Sequence, residues 1–587
     1  MSVRAAVDGR SPRDRCAVVL ASAGALGFGL GLASAEWQWA VEHAQVLAGL
    51  VTYPPDSPVG IAHAKIWSVV PQTGALLLAL GVSEITLSKL LSGLVGLVSF
   101  QAQAAIVYAL SRDATLAVGS TCLVLASGLF DYGVVYPMAL LGTGHTYGAL
   151  GLSWVVLATG LLGMGWYRSG AFLLAASPAV HPGLGVWMAG VALIAALWSR
   201  AEARHFVGRA WRALAGGATV TILAYLVHRL LTPDVASIDP AEAARYLRAF
   251  VPFWDDHRRP VDLGAMGVRL ATGSAVLALA ALTLCRDALA PPARLLLRMV
   301  AVAAVLGLAV SAWSNAPATM PDVVLVSMPG RFLNVSVLVA GALVLGLAGA
   351  RRDRLADGVV LGVLVVGLVV SSRSLLWGLV GGRPWRLDPL APVTVAAVAW
   401  VAATLWRGHR AGGPVSIARA AVHVGLAAAV VVAGAAAVGE AGRRGDRFRD
   451  WTNDPVFAAA SRGRGPLLTG GELFMMQLRT RRPVLLDGGT LDTLPYAIEQ
   501  GPAMARILRD VYGINLFDPP PEARGGGRVP HEIGRRVWEA YALHDWQRIG
   551  RSYGVADVLA PADWALDLPV VARSGGLALF AIPDPGR

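Results

Sequence analysis

The residues best suited to chemistry lie in the first long hydrophilic segment of the chain, 36–72. It follows an apolar run of membrane-spanning length, and ionisable groups are costly to hold at a membrane face. A group kept there at such a cost usually has a function, so this segment is the first candidate site. Its carboxylates, histidines and lysine are Glu36, Glu42, Asp56, His43, His63 and Lys65.

Glu42 and Asp56 are the two candidate catalytic residues. A carboxylate at the membrane surface can act as a general base on an acceptor hydroxyl or amine that attacks an anomeric carbon. Proton transfer of this kind contributes about 10²–10⁴-fold in rate. The alternative for Glu42 is that its side chain only caps or solvates an interfacial helix.

Transfer from a lipid phosphate also needs cations or hydrogen-bond donors that stabilise the leaving phosphate. For Lys65 the alternative is an interfacial side chain whose ammonium group reaches towards water. For His181 the alternative is a hydrogen bond to a backbone carbonyl. The candidate substrate- and phosphate-binding residues are His43, Lys65, His181, Arg258 and Arg331.

The sequence FVPFWDDHRRPVD, at 250–262, contains the weak metal candidates Asp255, Asp256 and His257. Oxygen and imidazole ligands suit a divalent cation. Three adjacent residues seldom direct their side chains at one ion, however, so a solvated loop is the alternative. A divalent cation is the one cofactor that the sequence suggests.

The composition defines the class of protein. The chain has 587 residues, of which 55% are hydrophobic and 15% charged, as expected for a polytopic membrane protein. The net charge of +12 reflects membrane topology and codon bias, because all basic residues except Lys65 and Lys89 are arginines, and we expect no nucleic-acid partner. The three cysteines lie in or beside apolar segments, which excludes a disulfide framework.

Apolar runs and arginine clusters together predict the topology. We expect about 11–13 spans and a retained N-terminal signal anchor. Compact arginine clusters separate the runs and are cytoplasmic by the positive-inside rule, so the longer loops and the tail face outwards, at the inner membrane of a bacterium. A shorter apolar segment, 66–81, is expected partly in the interface. The runs lie near 16–35, 86–110, 114–130, 148–166, 213–231, 266–284, 296–313, 333–350, 356–372, 391–406 and 418–438.

Segment 171–198 is too short for two full crossings, yet both flanks carry arginines. Its centre reads AASPAVHPGLGVW. We interpret it as two half-length helices that meet at His181-Pro182, an irregularity tolerated at membrane depth only where protein or water covers it. A single proline-kinked span is the alternative.

The chain divides into a transmembrane part, 1–439, with the first outer loop at 36–72, and a hydrophilic tail, 440–587. Short apolar runs alternate with amphipathic stretches in the tail, which predicts a small α/β domain on the outer side. The tail has no phosphate-binding loop and no nucleophile elbow. A role in recognising a partner or acceptor is therefore favoured over independent catalysis.

The loop EHAQVLAGLVTYPPD and the tail segment DWQRIGRSYGVADVLAP resemble the GT-C superfamily of integral-membrane glycosyltransferases, as does the whole plan of spans and tail. The segments SEITLSKLLSGL, FDYGVVYPMALLGTGHTYG and AVHPGLGVW resemble a bacterial branch. The resemblance implies a polyprenyl-phosphate-linked sugar donor, with the first-loop carboxylate as base. The chain departs from the superfamily in having no adjacent Asp-Glu pair in the first loop. It also has no WWDYG-like motif, which argues against oligosaccharyl transfer to asparagine.

The leading hypothesis is a cell-envelope glycosyltransferase that moves a sugar from a polyprenyl-phosphate donor to an unknown acceptor on the outer face. One alternative is a transporter or lipid flippase, which would predict internal repeats and charged residues inside several spans. Another is a non-catalytic membrane scaffold whose tail binds a partner. A polysaccharide polymerase or ligase is less favoured, because the largest hydrophilic region is terminal.

Overall fold

The computed structural model describes residues 11–127, 133, 134, 138, 141–350, 355–370, 390–406, 422, 424–426, 448, 451, 453–470 and 473–583.

The transmembrane part is helical. Its first helices carry the first outer loop and the broken hairpin. They are α1 (Pro12–Ala33), α2 (Trp39–Leu47), α3 (Pro58–Lys65), α4 (Val69–Ala79), α5 (Glu84–Ser111), α6 (Ala114–Ser127), α7 (Thr146–Met164), α8 (Tyr167–Val180) and α9 (Pro182–Leu197). The helices that follow are α10 (Arg200–Leu231), α11 (Pro240–Phe253), α12 (Met266–Leu284), α13 (Pro291–Trp313), α14 (Asp322–Val326), α15 (Arg331–Gly349), α16 (Leu355–Val370) and α17 (Leu390–Trp406).

Seven helices in the described part of the chain are long and apolar enough to cross a membrane, which confirms a polytopic helical membrane protein. Three further apolar helices are shorter. The predicted run at 418–438 lies almost wholly outside the described residues. The seven candidate spans are Arg13–Ala33, Glu84–Ser111, Thr146–Met164, Phe206–Leu231, Met266–Leu284, Pro291–Trp313 and Arg331–Gly349.

Segment 171–198 forms two helices, α8 and α9, that meet at His181. His181 has an extended backbone (φ −148°, ψ 101°), and Pro182 opens α9, where its missing N–H costs nothing. The two helices touch at Gly185, because a Cβ there would lie 2.3 Å from the backbone nitrogen of Pro178. The predicted pair of half-length helices is therefore present in the structure.

The tail forms a small α/β domain, as predicted. Its sheet has the order β1-β2-β4-β3, in which β1 pairs with β2 in parallel and the other pairs are antiparallel. Three fully buried tryptophans, Trp538, Trp546 and Trp564, fill its core. The elements are α18 (Pro455–Arg462), β1 (Leu467–Thr469), α19 (Met476–Thr480), α20 (Gly501–Tyr512), α21 (His531–Glu539), α22 (Leu543–Tyr553), β2 (Asp557–Pro561), β3 (Val570–Ser574) and β4 (Leu577–Ala581).

An outer loop of the transmembrane part completes the core of this domain. Tyr246 and Phe250 of α11, with Trp254 just after it, belong to the same buried apolar cluster as the tail tryptophans. The Trp254 indole Nε1 donates a hydrogen bond to the carbonyl oxygen of Leu516 at 2.9 Å. Because this loop is built into the domain core, the domain is fixed over the helices.

Candidate functional site

Glu42 lies on α2, where that helix meets the tail. Gln477 of α19 donates from Nε2 to the backbone oxygen of Glu42 at 2.7 Å. The Oε1 atom of Glu42 is shielded from solvent and has no hydrogen-bond partner among the described residues. Burial raises the pKa of Glu42 well above its usual value, the Asp487 carboxylate raises it further, and Arg479 acts in the opposite direction. This carboxylate therefore has the increased proton affinity that suits a general base.

Three histidines from different parts of the chain meet beside Glu42. The ring of His43 lies 4.9 Å from that of His63 and 6.1 Å from that of His228, between centroids. The Nδ1 atom of His43 is 3.2 Å from the Tyr147 hydroxyl. Burial lowers the pKa of His43 well below its usual value, and the two neighbouring histidines lower it further. His43 is therefore neutral near pH 7 and offers a hydrogen bond, not a positive charge.

His181 and Arg331 meet where the broken hairpin approaches the start of α15. Arg331 Nη1 donates to His181 Nε2 at 3.1 Å, and the backbone nitrogen of Leu184 lies 3.4 Å from His181 Nδ1. Because a guanidinium can only donate, Nε2 is the acceptor, and a neutral imidazole then carries its proton on Nδ1. His181 thus holds the positive charge of Arg331 where the hairpin meets α15.

Lys65, at the end of α3, forms an ion pair with the tail. Its Nζ lies 2.5 Å from Glu499 Oε1, and both side chains are partly buried. The positive charge predicted to bind a phosphate is thus already paired with a carboxylate whose position could not be predicted from the sequence.

Two of the predicted site residues, Arg258 and Asp255, form an ion pair with each other inside the protein. Arg258 is 1% exposed, pairs with Asp255 at 2.6 Å through Nη1 and donates to the Val326 carbonyl oxygen at 3.1 Å through Nη2. Asp255 also accepts from the backbone N–H of His257 at 2.6 Å. Because its guanidinium is already bonded inside the protein, this geometry does not support phosphate binding by Arg258, which stays a prediction.

The metal hypothesis for Asp255, Asp256 and His257 also fails on the geometry. Asp255 bonds Arg258, Asp256 pairs with Arg259 at 3.0 Å, and His257 Nε2 lies 3.7 Å from Asp492 Oδ2. The three side chains have separate partners, and no group of three or more ligating residues within the described ranges could hold a metal ion. Asp256 and His257 do line a cavity, described below.

Asp56 is not brought to the site. It is exposed in the turn before α3 and lines neither of the two cavities described below. Prolines on its N-terminal side and the cap formed by Ser57 shape this turn. Of the two predicted carboxylates, only Glu42 lines either of these two cavities.

The tail supplies a second buried carboxylate, Asp487. It accepts hydrogen bonds from the Thr490 hydroxyl at 2.8 Å and the Gly489 N–H at 3.0 Å. Burial raises the pKa of Asp487, while these hydrogen bonds act in the opposite direction. A short loop of the tail thus holds an acid near the acid of the first outer loop.

These residues line a cavity of about 480 Å³ between the transmembrane helices and the tail, which we name the first cavity. The apolar part of its wall includes Ile66, Val323, Val326 and Met328. Six predicted residues line it: Glu42, His43, Lys65, His181, His257 and Arg331. The tail contributes Phe474, Met475, Asp487, Gly489, Thr490, Asp492, Thr493 and Tyr496.

A second cavity of about 620 Å³ adjoins the first. It contains aromatic rings together with Arg479 and Arg528 of the tail. Glu42 faces the first cavity and not the second, so a molecule in the second cavity would reach Glu42 past the wall that the two share. The shared wall consists of Trp39, His145, His257, Phe474, Met475 and Asp492.

Sequence reasoning missed the tail residues of the site, of which Asp487 and Glu499 are the clearest. The available signal was PVLLDGG at 483–489, a short apolar run that ends in a carboxylate and two glycines. Such a loop permits close approach of a ligand, but the sequence does not indicate which part of the protein it faces.

No family model matches the chain, and no curated protein matches it. Two solved structures are similar in fold, both of ArnT from Cupriavidus metallidurans, one bound to undecaprenyl phosphate and one in the apo state. Each is 14% identical to this chain with a TM-score of 0.46. The first alignment covers 97% of this chain and 98% of ArnT, and the second covers 98% and 99%.

Proposed function

We propose that this protein is a membrane glycosyltransferase that moves a sugar from a polyprenyl-phosphate donor to an acceptor at the outer face of the bacterial inner membrane. One observation carries the proposal. A shielded carboxylate with a raised pKa, Glu42, lines the same cavity as Arg331, whose guanidinium donates a hydrogen bond to His181. The outward orientation follows from the arginine-rich inner loops.

Glu42 is the general base in this reaction. The acceptor oxygen or nitrogen attacks the anomeric carbon and forms a bond to it, while the bond from that carbon to the phosphate oxygen breaks. Glu42 takes the proton that the acceptor loses. Because burial raises the pKa of Glu42, the carboxylate accepts this proton more readily than an exposed glutamate would.

Arg331 receives the donor phosphate, and His181 positions it. The guanidinium of Arg331, held by its hydrogen bond to His181 Nε2, would donate a charge-assisted hydrogen bond to a phosphate oxygen in the cavity. Charge develops on this oxygen as the glycosidic bond breaks, so donors fixed in advance stabilise the transition state. The apolar wall, with Ile66, Val323 and Met328, suits the first isoprene units of the lipid.

The remaining predicted residues take supporting roles. Lys65 borders the same cavity, but its pairing with Glu499 assigns it to holding the tail in place. His43 is a neutral hydrogen-bonding residue in the wall. Asp56 and Arg258 have no part in the reaction.

The test is a transfer assay with the purified protein in lipid nanodiscs. Undecaprenyl-phosphate sugars would be supplied with bacterial envelope fractions, and the release of undecaprenyl phosphate measured. Glu42→Gln should reduce release at least about 100-fold, since it removes the base but keeps the shape. Asp56→Asn, the same change at an exposed carboxylate of the same loop, should leave it unchanged.

Two results would contradict the proposal. One is release that is unchanged by Glu42→Gln, which would leave the carboxylate without a chemical role. The other is movement of the lipid across a bilayer without loss of its sugar, which would favour the flippase hypothesis.

A further inference from the structure

Arg479 is a partly buried cation that contacts no carboxylate among the residues that the structure describes. It lies on α19 of the tail and lines the second cavity. Within the described residues its side chain forms neither an ion pair nor a hydrogen bond, and its Nε is shielded from solvent. Its neighbours differ, because Arg481 contacts Glu84 at 2.7 and 2.9 Å and Arg482 contacts Asp557 at 2.7 Å.

The carboxylates nearest to Arg479 do not neutralise it. Glu42 and Glu36 both favour its charged form, but neither lies within the 4.0 Å of an ion pair. Burial lowers the pKa of Arg479 to about 9, so the side chain is still charged at neutral pH. A charge held away from water without a partner is costly, and a ligand anion would offset that cost.

Aromatic rings hold the guanidinium at the cavity wall. It lies over the ring of Trp451 and 5.6 Å from the ring centre of Phe457. Trp451 in turn stacks on Trp37, with ring centroids 5.4 Å apart. These contacts fix the position of the Arg479 guanidinium and leave its N–H donors unused.

The backbone around Arg479 is strained at both ends of α19. Met475 and Arg481, neither of them glycine, have left-handed conformations with φ of 56° and 51°. Such conformations are unfavourable for residues other than glycine and persist only where the surroundings impose them. Met475 is part of the wall shared by the two cavities, so the strained turn sets the boundary between them.

We propose that the second cavity binds the acceptor, and that the acceptor is an acidic saccharide whose phosphate or carboxylate forms a salt bridge with Arg479. This inference rests on the proposed function, since it places the acceptor beside the cavity that contains Glu42. The rings of Trp39 and Phe474 offer apolar surfaces to a sugar ring. With the anionic group on Arg479, a hydroxyl elsewhere on the saccharide reaches past Trp39 and Met475 towards Glu42.

The test is direct binding of three probes to the full-length protein in nanodiscs by titration calorimetry. The probes are glucose 6-phosphate, glucuronate and glucose, which share a ring but differ in charge. We expect at least one acidic probe to bind about 10-fold or more tightly than glucose, because a charge-assisted hydrogen bond is worth that much. Arg479→Gln should abolish the difference and Arg479→Lys should retain part of it.

Arg509→Gln is the matched control, because Arg509 is exposed on α20 of the same domain and lines neither cavity. It should bind the probes as the wild type does. Equal binding of glucose and both acidic probes to the wild type would overturn the proposal. So would unchanged discrimination in Arg479→Gln. If that variant does not fold, the wild type and Arg479→Lys still decide the question.

A competition experiment separates the acceptor from the donor phosphate. Undecaprenyl phosphate should bind without displacing the acidic probe and should not need Arg479. Displacement that depends on Arg479 would make this a donor-phosphate site and would overturn the proposal. Glu42→Gln should bind the acidic probe normally, so a failure of the transferase hypothesis would appear in the transfer assay and not in these titrations.

Discussion

Arg331 Nη1 lies 3.1 Å from His181 Nε2, and this contact joins the start of α15 to the tip of a hairpin 150 positions earlier in the chain. Neither residue lies in the first outer loop, yet both face the cavity that contains Glu42. The contact therefore connects the irregular point of the helical part to the site of the proposed chemistry.

Replacing Arg331 by Gln should weaken the binding of undecaprenyl phosphate. A charge-assisted hydrogen bond is worth about 1.5–3 kcal/mol, so we expect a loss of roughly 10- to 150-fold in affinity. Titration calorimetry with the protein in nanodiscs measures this affinity. Arg269→Gln, at an exposed arginine near the start of α12, is the control. Equal affinity in the two variants would show that the phosphate lies elsewhere.

The transfer rate should fall as the pH drops through the pKa of Glu42, since the base must be deprotonated. Burial and the Asp487 carboxylate both raise the pKa of Glu42 above 4.5, the ordinary value for a glutamate. The acid limb of the pH–rate profile should therefore lie at a higher pH than 4.5. A pH–rate profile of kcat/KM measures the position of the limb. The residual activity of Glu42→Gln should lack it, and a limb retained there would assign the titration to another group.

Asp487→Asn should shift that acid limb to lower pH. The Asp487 carboxylate raises the pKa of Glu42, so removing the negative charge lowers it. Asparagine keeps an acceptor for the Thr490 hydroxyl and the Gly489 N–H, which preserves the loop. Asp510→Asn, at a partly exposed carboxylate of α20 that lines neither cavity, is the control and should leave the limb in place. A limb that does not move in Asp487→Asn would show that the two acids do not interact.

The Lys65–Glu499 pair should couple the first outer loop to the tail weakly but measurably. Both side chains are partly exposed, so a double-mutant cycle with Lys65→Gln and Glu499→Gln should give about 0.5–1 kcal/mol, and less at high salt. Unfolding of the four proteins in the same detergent measures this energy. Additive effects of the two changes would mean that the pair adds no stability.

Acidification should destabilise the protein through His63. Burial lowers the pKa of His63 to about 4 in the folded state, whereas an unfolded histidine titrates near 6.5. The unfolded state therefore binds the proton first, and stability is lost as the pH falls from about 6.5 to 4, by roughly 3 kcal/mol. His63→Gln should flatten this dependence in unfolding experiments at pH 7.5 and 5. The same replacement at the exposed His544 should leave the pH dependence of stability unchanged.

Features that depend on a local pattern of residues could be predicted from the sequence alone. Apolar runs predicted the candidate spans, and the two prolines around His181 predicted the break between α8 and α9. Glu42 was predicted because a carboxylate beside a membrane span is costly. In each case the signal lies within about twenty residues of the feature that it predicts.

The other side of the site could not be predicted because it depends on contacts between distant parts of the chain. Glu499 pairs with Lys65 across 434 positions, and nothing near either residue encodes that contact. The phosphate-binding prediction for Arg258 lacks support for a related reason. Its partner Asp255 lies within the same loop and pairs with the guanidinium inside the protein. A row of charged residues in a sequence does not reveal which of them form ion pairs with one another.

The walls of the first cavity come from both ends of the chain, with Glu42 near the start and Asp487 more than four hundred residues later. During synthesis Glu42 therefore leaves the ribosome long before the loop that closes its pocket. A nascent or prematurely terminated chain has this carboxylate but no enclosed pocket around it. Assembly of the cavity thus requires that translation has reached the tail and that the tail has folded onto the helices.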